Sequence, residues 1–442
     1  MNKKKIRYLY IALALSLVVS AVMVAVGVTN SRTAEAAAGQ PSASRTAEAS
    51  QTANPTPGMT AEATQTPVPF AKVNRIDAVA LEDTTDLTEA PSSTESAAAA
   101  PTDGSGLSYS EDASLPQQPV VVVDIDAGTA DNDSTTYTIE NTRFGIDSTG
   151  KNARATTDGI NAALEWAKAQ GYKTIKFATG TYMVQCNWRD RCIAPTDGIL
   201  VPSGLTLDLG NSTFMMEPNS YPEYTIFGIV DQSDVTIRNG TLIGDLDNHV
   251  YAPSRKSSSH EYGFGICISA SNNVLIQGVT IKKMTGDGII IEGSYSFLSD
   301  GGSVSSRIRL LDNEISECRR QGISVIGARN SEIARNKIYG IKGTSPEYGI
   351  DVESELDYII DKLKIHDNVI YDCAGGAISC NKGTDYEVYN NVCSGNILAV
   401  FSSNVRIYNN TIKNSFIEVM KGASNITVEN NIMEGDSWVQ ID

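Results

Sequence analysis

Six segments in the C-terminal half of the chain align on one asparagine each: LLDNEI, IARNKI, IHDNVI, VYNNVC, IYNNTI and VENNIM. The shared positions are Asn313, Asn336, Asn368, Asn391, Asn410 and Asn431. Each follows a run of alternating apolar residues and precedes another. Short β-runs recurring every 20 to 30 residues or so define a coiled solenoid, in which each turn of chain buries its apolar face only against its neighbours. An asparagine suits a corner of such a coil because it tolerates the left-handed conformation and its amide can bond backbone. From coil to coil the amides can stack as a ladder. The flanking apolar positions keep the same register, which an ordinary sandwich with asparagine-rich turns does not require.

The N-terminus sets the compartment. Lys3, Lys4, Lys5 and Arg7 precede an apolar run from Tyr8 to Val28. A basic patch before such a run reads as a secretory signal or as a membrane anchor with its N-terminus in the cytoplasm. The small residues Ala34 and Ala36 to Ala38 offer a cleavage site, and both outcomes are open. Either one puts the rest of the chain on the outer face of the membrane, in the cell wall, or in the medium. Residues 1–32 form this leader. Residues 33–118 are rich in Ala, Thr, Ser and Pro, lack apolar periodicity and read as a disordered tether. Residues 119–442 hold the repeats, and a solenoid of that length grows by adding coils without splitting its core.

The net charge of −17 argues against nucleic acid and anionic membrane as partners of the folded part. It leaves a polysaccharide as partner, an acidic one included, provided a local cation meets it. Among the cysteines, Cys186 and Cys192 bound the short loop CNWRDRC and can close as a disulfide in an oxidising compartment. Cys318 and Cys373 each follow a ladder asparagine by five residues, with Ile341 at the same place in the coil between. Two coils is about 9 to 10 Å, too far for a bridge, so both read as small buried hydrophobes.

Thr156 to Gln170 carries one apolar stripe, Ile160, Ala163, Leu164 and Ala167, and Gly171 stops it. A helix placed there covers the open first coil. Beyond it, a second column of strands follows the first: GFGICIS, DGIIIEG, QGISVIG, YGIDVES and GAISCNK. Two insertions, Gly244 to Gly263 and Lys342 to Gly349, enter that column. Loops gathered on one face of a solenoid usually build its binding groove.

The stretch from Asn141 to Val184, with the turn ATGTY (Ala178 to Tyr182), resembles the entry segment of the pectate-lyase-like superfamily. That resemblance implies an all-β fold: a right-handed parallel β-helix solenoid with an N-terminal capping helix. YGIDVES (Tyr348 to Ser354) is similar to the catalytic strand of mannuronan C-5 epimerases, Y-G-F-D-P-H-E. Tyr348, Gly349 and Asp351 match, while Val352 and Glu353 stand at the Pro and His positions. The paired-aspartate and Gly-His-Gly signatures of polygalacturonases are absent.

Strand alternation turns Asp351 and Glu353 outward together, about 7 Å apart. Glu292 faces outward two coils earlier. Asp287, Arg319 and Arg320 stand at the corners, and His260 and Glu261 lie in the long loop. Two carboxylates beside an arginine suit uronate chemistry, in which a base takes the C5 proton and a cation neutralises the sugar carboxylate. They also suit inverting glycoside hydrolysis. The sequence therefore points to lyase or epimerase chemistry on a uronate polymer. A glycoside hydrolase of the same fold and a non-catalytic surface glycan-binding or adhesin module are the alternatives. The expected catalytic residues are Asp351, Glu353, Arg320, His260, Glu292 and Asp287; the expected substrate contacts are Arg319, Tyr348, Glu261 and Tyr262. The sequence assigns no cofactor with certainty, and Asp245 and Asp247 of GDLDNH offer oxygen ligands for Ca²⁺.

Mild proteolysis of the full chain is expected to cut first between Thr33 and Leu115 and to spare the repeats, because only the repeats have a core to bury. A digest that degrades the C-terminal region first contradicts this.

Overall fold

A computed structural model describes residues 135–186, 198–251, 259–293, 303–354 and 359–442. The leader, the tether and Cys192 lie outside the described residues. None of the described helices is long and apolar enough to cross a membrane. The described chain is a parallel β-helix. From Ser305 on, each coil contributes three strands rather than the two columns visible in the sequence; in the earlier coils the first two are one continuous strand, as in Thr206–Met216, Ser233–Ile243 and Asn272–Lys282. In one later coil the three are Ala328–Ala334, Lys337–Ile341 and Tyr348–Glu353, and in the next Ile360–His366, Val369–Cys373 and Gly376–Asn381. They stack into a first, a second and a third sheet with parallel pairing in all three.

One apolar residue per strand repeats in register and makes the core. The first sheet stacks Ile276, Leu310, Ile333, Ile365, Val388 and Ile407. The third stacks Ile266, Ile289, Ile323, Ile350, Ile378 and Ile397. All of these are fully buried. β-branched side chains fit this packing because they stand upright on a pleated surface. Shifting one coil by a single residue would turn its core row outward, so the register is strongly held.

The asparagines form the ladder at the bend between the first and second sheets. Asn368 shows the pattern. Its Oδ1 accepts from the backbone N–H of Asn336 at 2.9 Å and from Asn336 Nδ2 at 3.0 Å. Its Nδ2 donates to the Ile333 carbonyl at 3.0 Å and to Asn391 Oδ1 at 2.9 Å. The same contacts run from Asn313 to Asn431. A bend removes backbone groups from the strand ladder, and a buried one without a partner is costly; here the amide column satisfies them. The left-handed residues are not the asparagines of the ladder. They are the residues just before, Asp312, Arg335, Asp367, Asn390, Asn409 and Asn430, with φ between 54 and 58°. The amide, not its tolerance of unusual φ, is what the ladder position selects.

The helix runs over Ala153–Ala169, three residues earlier than its apolar stripe alone predicts. Ile160, Ala163, Leu164 and Ala167 are fully buried. It packs on the strands Thr181–Val184 and Ile199–Leu200. Asn161 closes the strand edge there: its Nδ2 donates to the Gly198 carbonyl and its Oδ1 accepts from the Leu200 N–H, both at 2.9 Å. This satisfies edge groups that would otherwise invite pairing with another chain. Cys186 donates to the Thr225 carbonyl at 3.0 Å. Cys373 lies in register with Ile341, Cys318 is fully buried, and both have free thiols.

Asn368→Ala removes the partners of the Asn336 N–H and the Ile333 carbonyl in the buried interior. It is expected to lower stability by about 3 kcal/mol in urea unfolding, at 1–3 kcal/mol for each orphaned group. Asn431→Ala, in the partly exposed last coil, should cost about 1 kcal/mol or less. Equal costs at both positions would contradict the ladder's role.

Candidate functional site

The outer face of the third sheet collects the ionisable groups. Its strands send Ile and Val inward at alternate positions, so the residues between face out. Ile290, Ser324, Asp351 and Ser379 form one outward row, paired in register. Glu353 and Asn381 pair in the next. Sequence alternation implied a solvated groove, but these outward side chains are largely buried: Ser324 is 2% exposed and Asp351 3%.

Corner residues complete the cluster. Arg320 Nη1 donates to Asp287 Oδ2 at 3.2 Å, and its Nε lies 3.9 Å from Glu261 Oε2. Arg320 Nη2 makes no hydrogen bond to a described residue. Ser324 Oγ donates to the same Asp287 oxygen at 2.8 Å. Gln321 Nε2 donates to Asp351 Oδ2 at 2.8 Å, and Ser379 also hydrogen-bonds that carboxyl.

Burial decides the protonation chemistry. It pushes Asp287 from 3.8 up to about 6, against the pull of Arg320 and Ser324. It pushes Asp351 from 3.8 up to about 7, helped by the charge of Glu353 and opposed by Gln321, Ser379 and Arg320. Arg320 is desolvated too, but the carboxyls of Asp287, Glu261, Glu353 and Asp351 outweigh that and hold it firmly charged. Burial likewise raises the Tyr348 phenol, so it stays protonated; an Asn396 hydrogen bond opposes the rise and Asp351 adds to it. The tyrosine ring needs the bare backbone of Gly376: a Cβ there would lie 2.5 Å from ring Cε1 and 1.7 Å from Asn396 Oδ1, at a φ of +149°.

Of the residues expected from the sequence, Asp351, Glu353, Arg320, Asp287, Glu261 and Tyr348 thus share one electrostatic cluster. Glu292 stands apart from it, with Cys267 Sγ 3.6 Å from its Oε1. Tyr262 begins a strand, paired with Glu223, and is 39% exposed. Arg319 is a brace. Its Nη1 donates to the carbonyls of Ser259 and His260 at 2.7 and 3.3 Å, its Nη2 to Thr344 Oγ1 at 3.2 Å, and its guanidinium lies 4.9 Å from the Tyr251 ring centre. It therefore ties the two insertions together, and its donors are engaged within the fold.

His260 is fully buried and belongs to a chain of its own. Asp245 Oδ2 meets His249 Nδ1 at 2.8 Å, and His249 Nε2 meets His260 Nδ1 at 2.8 Å. Asp245 also accepts from the Asn219 N–H at 3.0 Å. Asp247 instead pairs with Lys283 at 2.5 Å. Asp245 and Asp247 thus hold different protein partners, and no group of three or more His, Cys, Asp or Glu side chains placed to hold a metal occurs among the described residues. Gln321, Ser379, His249 and Asn381 were not singled out by sequence. The structure places Gln321 and Ser379 on the Asp351 carboxyl, Asn381 in register with Glu353, and His249 against His260 within the loop.

A concavity of about 770 Å³ lies elsewhere, on the outer face of the first sheet. Its charges alternate in register along Arg309, Glu332, Lys364 and Glu387. Each is offset by its neighbours, as expected of a cross-strand charge ladder.

Residues 194–354 and 297–439 match the family described as the right handed beta helix region. The chain belongs to that family, and its coils are right-handed. Over 229 residues it is 34% identical to the uncharacterized protein YclG of Bacillus subtilis (strain 168), covering 49% of this chain and 38% of that one. It thus spans well under two thirds of that relative's length. Its fold is similar to the A-module of mannuronan C-5 epimerase AlgE6 of Azotobacter vinelandii. The TM-score is 0.52 at 16% identity, covering 69% of this chain and 79% of that one. It is also similar to a tailspike protein mutant of E. coli bacteriophage HK620 in complex with a pentasaccharide. There the TM-score is 0.52 at 12% identity, covering 70% and 60%. At these identities the two structures share a fold with the chain.

The buried carboxyls give stability a pH slope. Between about pH 4 and 7 the folded chain keeps protons on Asp287 and Asp351 that the unfolded chain has released. Their contribution is full below about 3.8. It is lost as pH rises through the folded values. Tm is expected to fall across that window and level off above it, with a shallower fall in Asp351→Asn. An identical slope in the variant contradicts the burial of an ionisable carboxyl there.

Proposed function

We propose that this face acts on a uronate-containing polysaccharide by lyase or epimerase chemistry, outside the cytoplasm. The observation that carries the reading is Asp351. It is a buried outward carboxyl whose midpoint of about 7 suits a general base near neutrality. It also sits in the field of the half-buried Arg320. In this reading Arg320, through its Nη2 face, meets the sugar carboxylate and lowers the cost of charge at C5. Asp351 takes the C5 proton, leaving the electron pair delocalised into that carboxylate. Tyr348, kept protonated by burial, returns a proton. Given to the glycosidic oxygen as the C4–O bond breaks, that proton completes elimination; given to the opposite face of C5, it completes epimerisation. The basic patch and apolar run at the N-terminus, with the tether, support the extracytoplasmic setting. The likeness to the epimerase A-module is one of fold and supports the reading only at that level.

A second reading, glycoside hydrolysis, is favoured by one observation. Asp287 bonds Ser324, and Asp351 occupies the next strand in register with Ser324. Two carboxyls set across one coil step or two, roughly 5 to 10 Å, suit an acid and a base flanking a glycosidic bond.

Incubation with alginate, polygalacturonate and neutral glucans separates these outcomes. Unsaturated ends or epimerised residues support uronate chemistry, and saturated new reducing ends support hydrolysis. Asp351→Asn is expected to lower kcat/KM by roughly a thousandfold while leaving Tm unchanged or higher. Full activity in that variant, or activity lost only along with folding, contradicts the reading.

A further inference from the structure

Two amide oxygens near Asp351 are buried without a partner. Gln321 is 1% exposed, and its Nε2 is held by Asp351 at 2.8 Å, which fixes the direction of the rest of the amide. Its Oε1 meets no donor. Asn381 stands on the strand after that of Asp351, in register with Glu353 and two residues beyond Ser379 on the same outward face. Its Oδ1 is likewise buried and without a donor. Gln321 stands on the coil before Asp351, level with Tyr348, and Asn381 on the coil after, level with Glu353. Five residues along the strand direction and two coil steps separate their backbones by about 19 Å.

An unpaired buried acceptor has a cost on the order of 1–3 kcal/mol. Native interiors hold few of them, and one that persists calls for a reason. Two such acceptors on one face, one bonded to Asp351 and the other beside Glu353, are complementary to a ligand that supplies donors at two points. An amide carbonyl cannot bind a carboxylate, which has no proton to give. It accepts from a hydroxyl, and the separation suits hydroxyls on different sugar residues of one oligosaccharide. The division of work is then chemical: Arg320 addresses negative charge, and the two amides address hydroxyl protons. Sites built to pair a hydroxyl discriminate strongly against ligands that lack it, because the site's own polar group is otherwise left unpaired.

We propose that Gln321 and Asn381 are the hydroxyl-reading residues of this groove, accepting hydrogen bonds from two sugar hydroxyls of a glycan laid across Asp351. The inference rests on the glycan reading of the site but is independent of which reaction follows.

The test uses the full chain with Gln321→Met and Asn381→Leu, singly and together. These near-isosteric changes remove the orphan oxygens, and Gln321→Met also removes the donor to Asp351. The Tm comparison is therefore made on Asn381→Leu. A structural role requires that variant to melt lower, and a ligand-reading role requires an unchanged or higher Tm without glycan, together with weaker binding. Calorimetry with oligosaccharides of alginate and of polygalacturonate, and dextran as the neutral control, is expected to show each single change weakening the bound glycan at least tenfold. Where the polymer is turned over, KM should rise in Asn381→Leu with kcat much less affected, whereas Gln321→Met also removes the donor to Asp351 and lowers kcat as well. Unchanged affinity in the double variant overturns the inference while leaving the glycan reading intact. So does a fall in Tm that accounts for the loss of binding. A wild-type chain that binds none of the glycans overturns the glycan reading and this inference together.

Discussion

The structure depends on the register between coils, and the buried amide column is what fixes it. Each coil must bend sharply after the first sheet, and the bend takes backbone groups out of the strand ladder. Asn313 through Asn431 return those hydrogen bonds coil by coil, each amide serving its neighbour on both sides. With the bend held, the isoleucine stacks fall into line. Once the inward row is set, the outward row is set with it. The placing of Ser324, Asp351 and Ser379 in one row is thus a consequence of packing on the opposite side of the same strands.

That dependence explains how a cluster so unfavourable electrostatically can exist. Asp287, Glu261, Glu353 and Asp351 surround one guanidinium. In water such a group would spread apart. Here the strands hold the carboxyls at coil spacing, and two of them respond by taking up protons more readily. Perturbed carboxyls of this kind, gathered on one face, are more characteristic of a working site than of a solvated surface. The first-sheet face makes the contrast. There the charges alternate in register, neighbours offset each other, and the arrangement suffices as cross-strand support.

Much of the fold was legible in the sequence because the repeat is periodic. The ladder asparagines, the apolar rows and the capping stripe all follow from local alternation. The division of the later coils into three strands was not, because the second-sheet strands are as short as Val392–Cys393 and merge with the asparagine segments on either side of the bend. The site was legible in part. Asp351, Glu353 and Asp287 could be placed by alternation and corner position, and Arg320 by its neighbourhood. Arg319 and His260 could not be placed so. Whether an arginine braces a loop or faces a ligand depends on carbonyls distant in sequence, Ser259 and Thr285 among them. The partner of His260, His249, lies within the same loop, but nothing in loop spacing says that the two rings meet. Gln321 was hidden for the same reason: its significance is a missing contact, and only coordinates show that.

The account's central claim is that a glycan lies on the outer face of the third sheet across Asp351. A crystal structure of the Asp351→Asn chain soaked with a uronate oligosaccharide tests it most directly. The account predicts a sugar carboxylate at Arg320 Nη2 and a sugar ring over position 351. An oligosaccharide seated instead on the first-sheet face between Arg309 and Lys364, with the third-sheet cluster untouched, would contradict it.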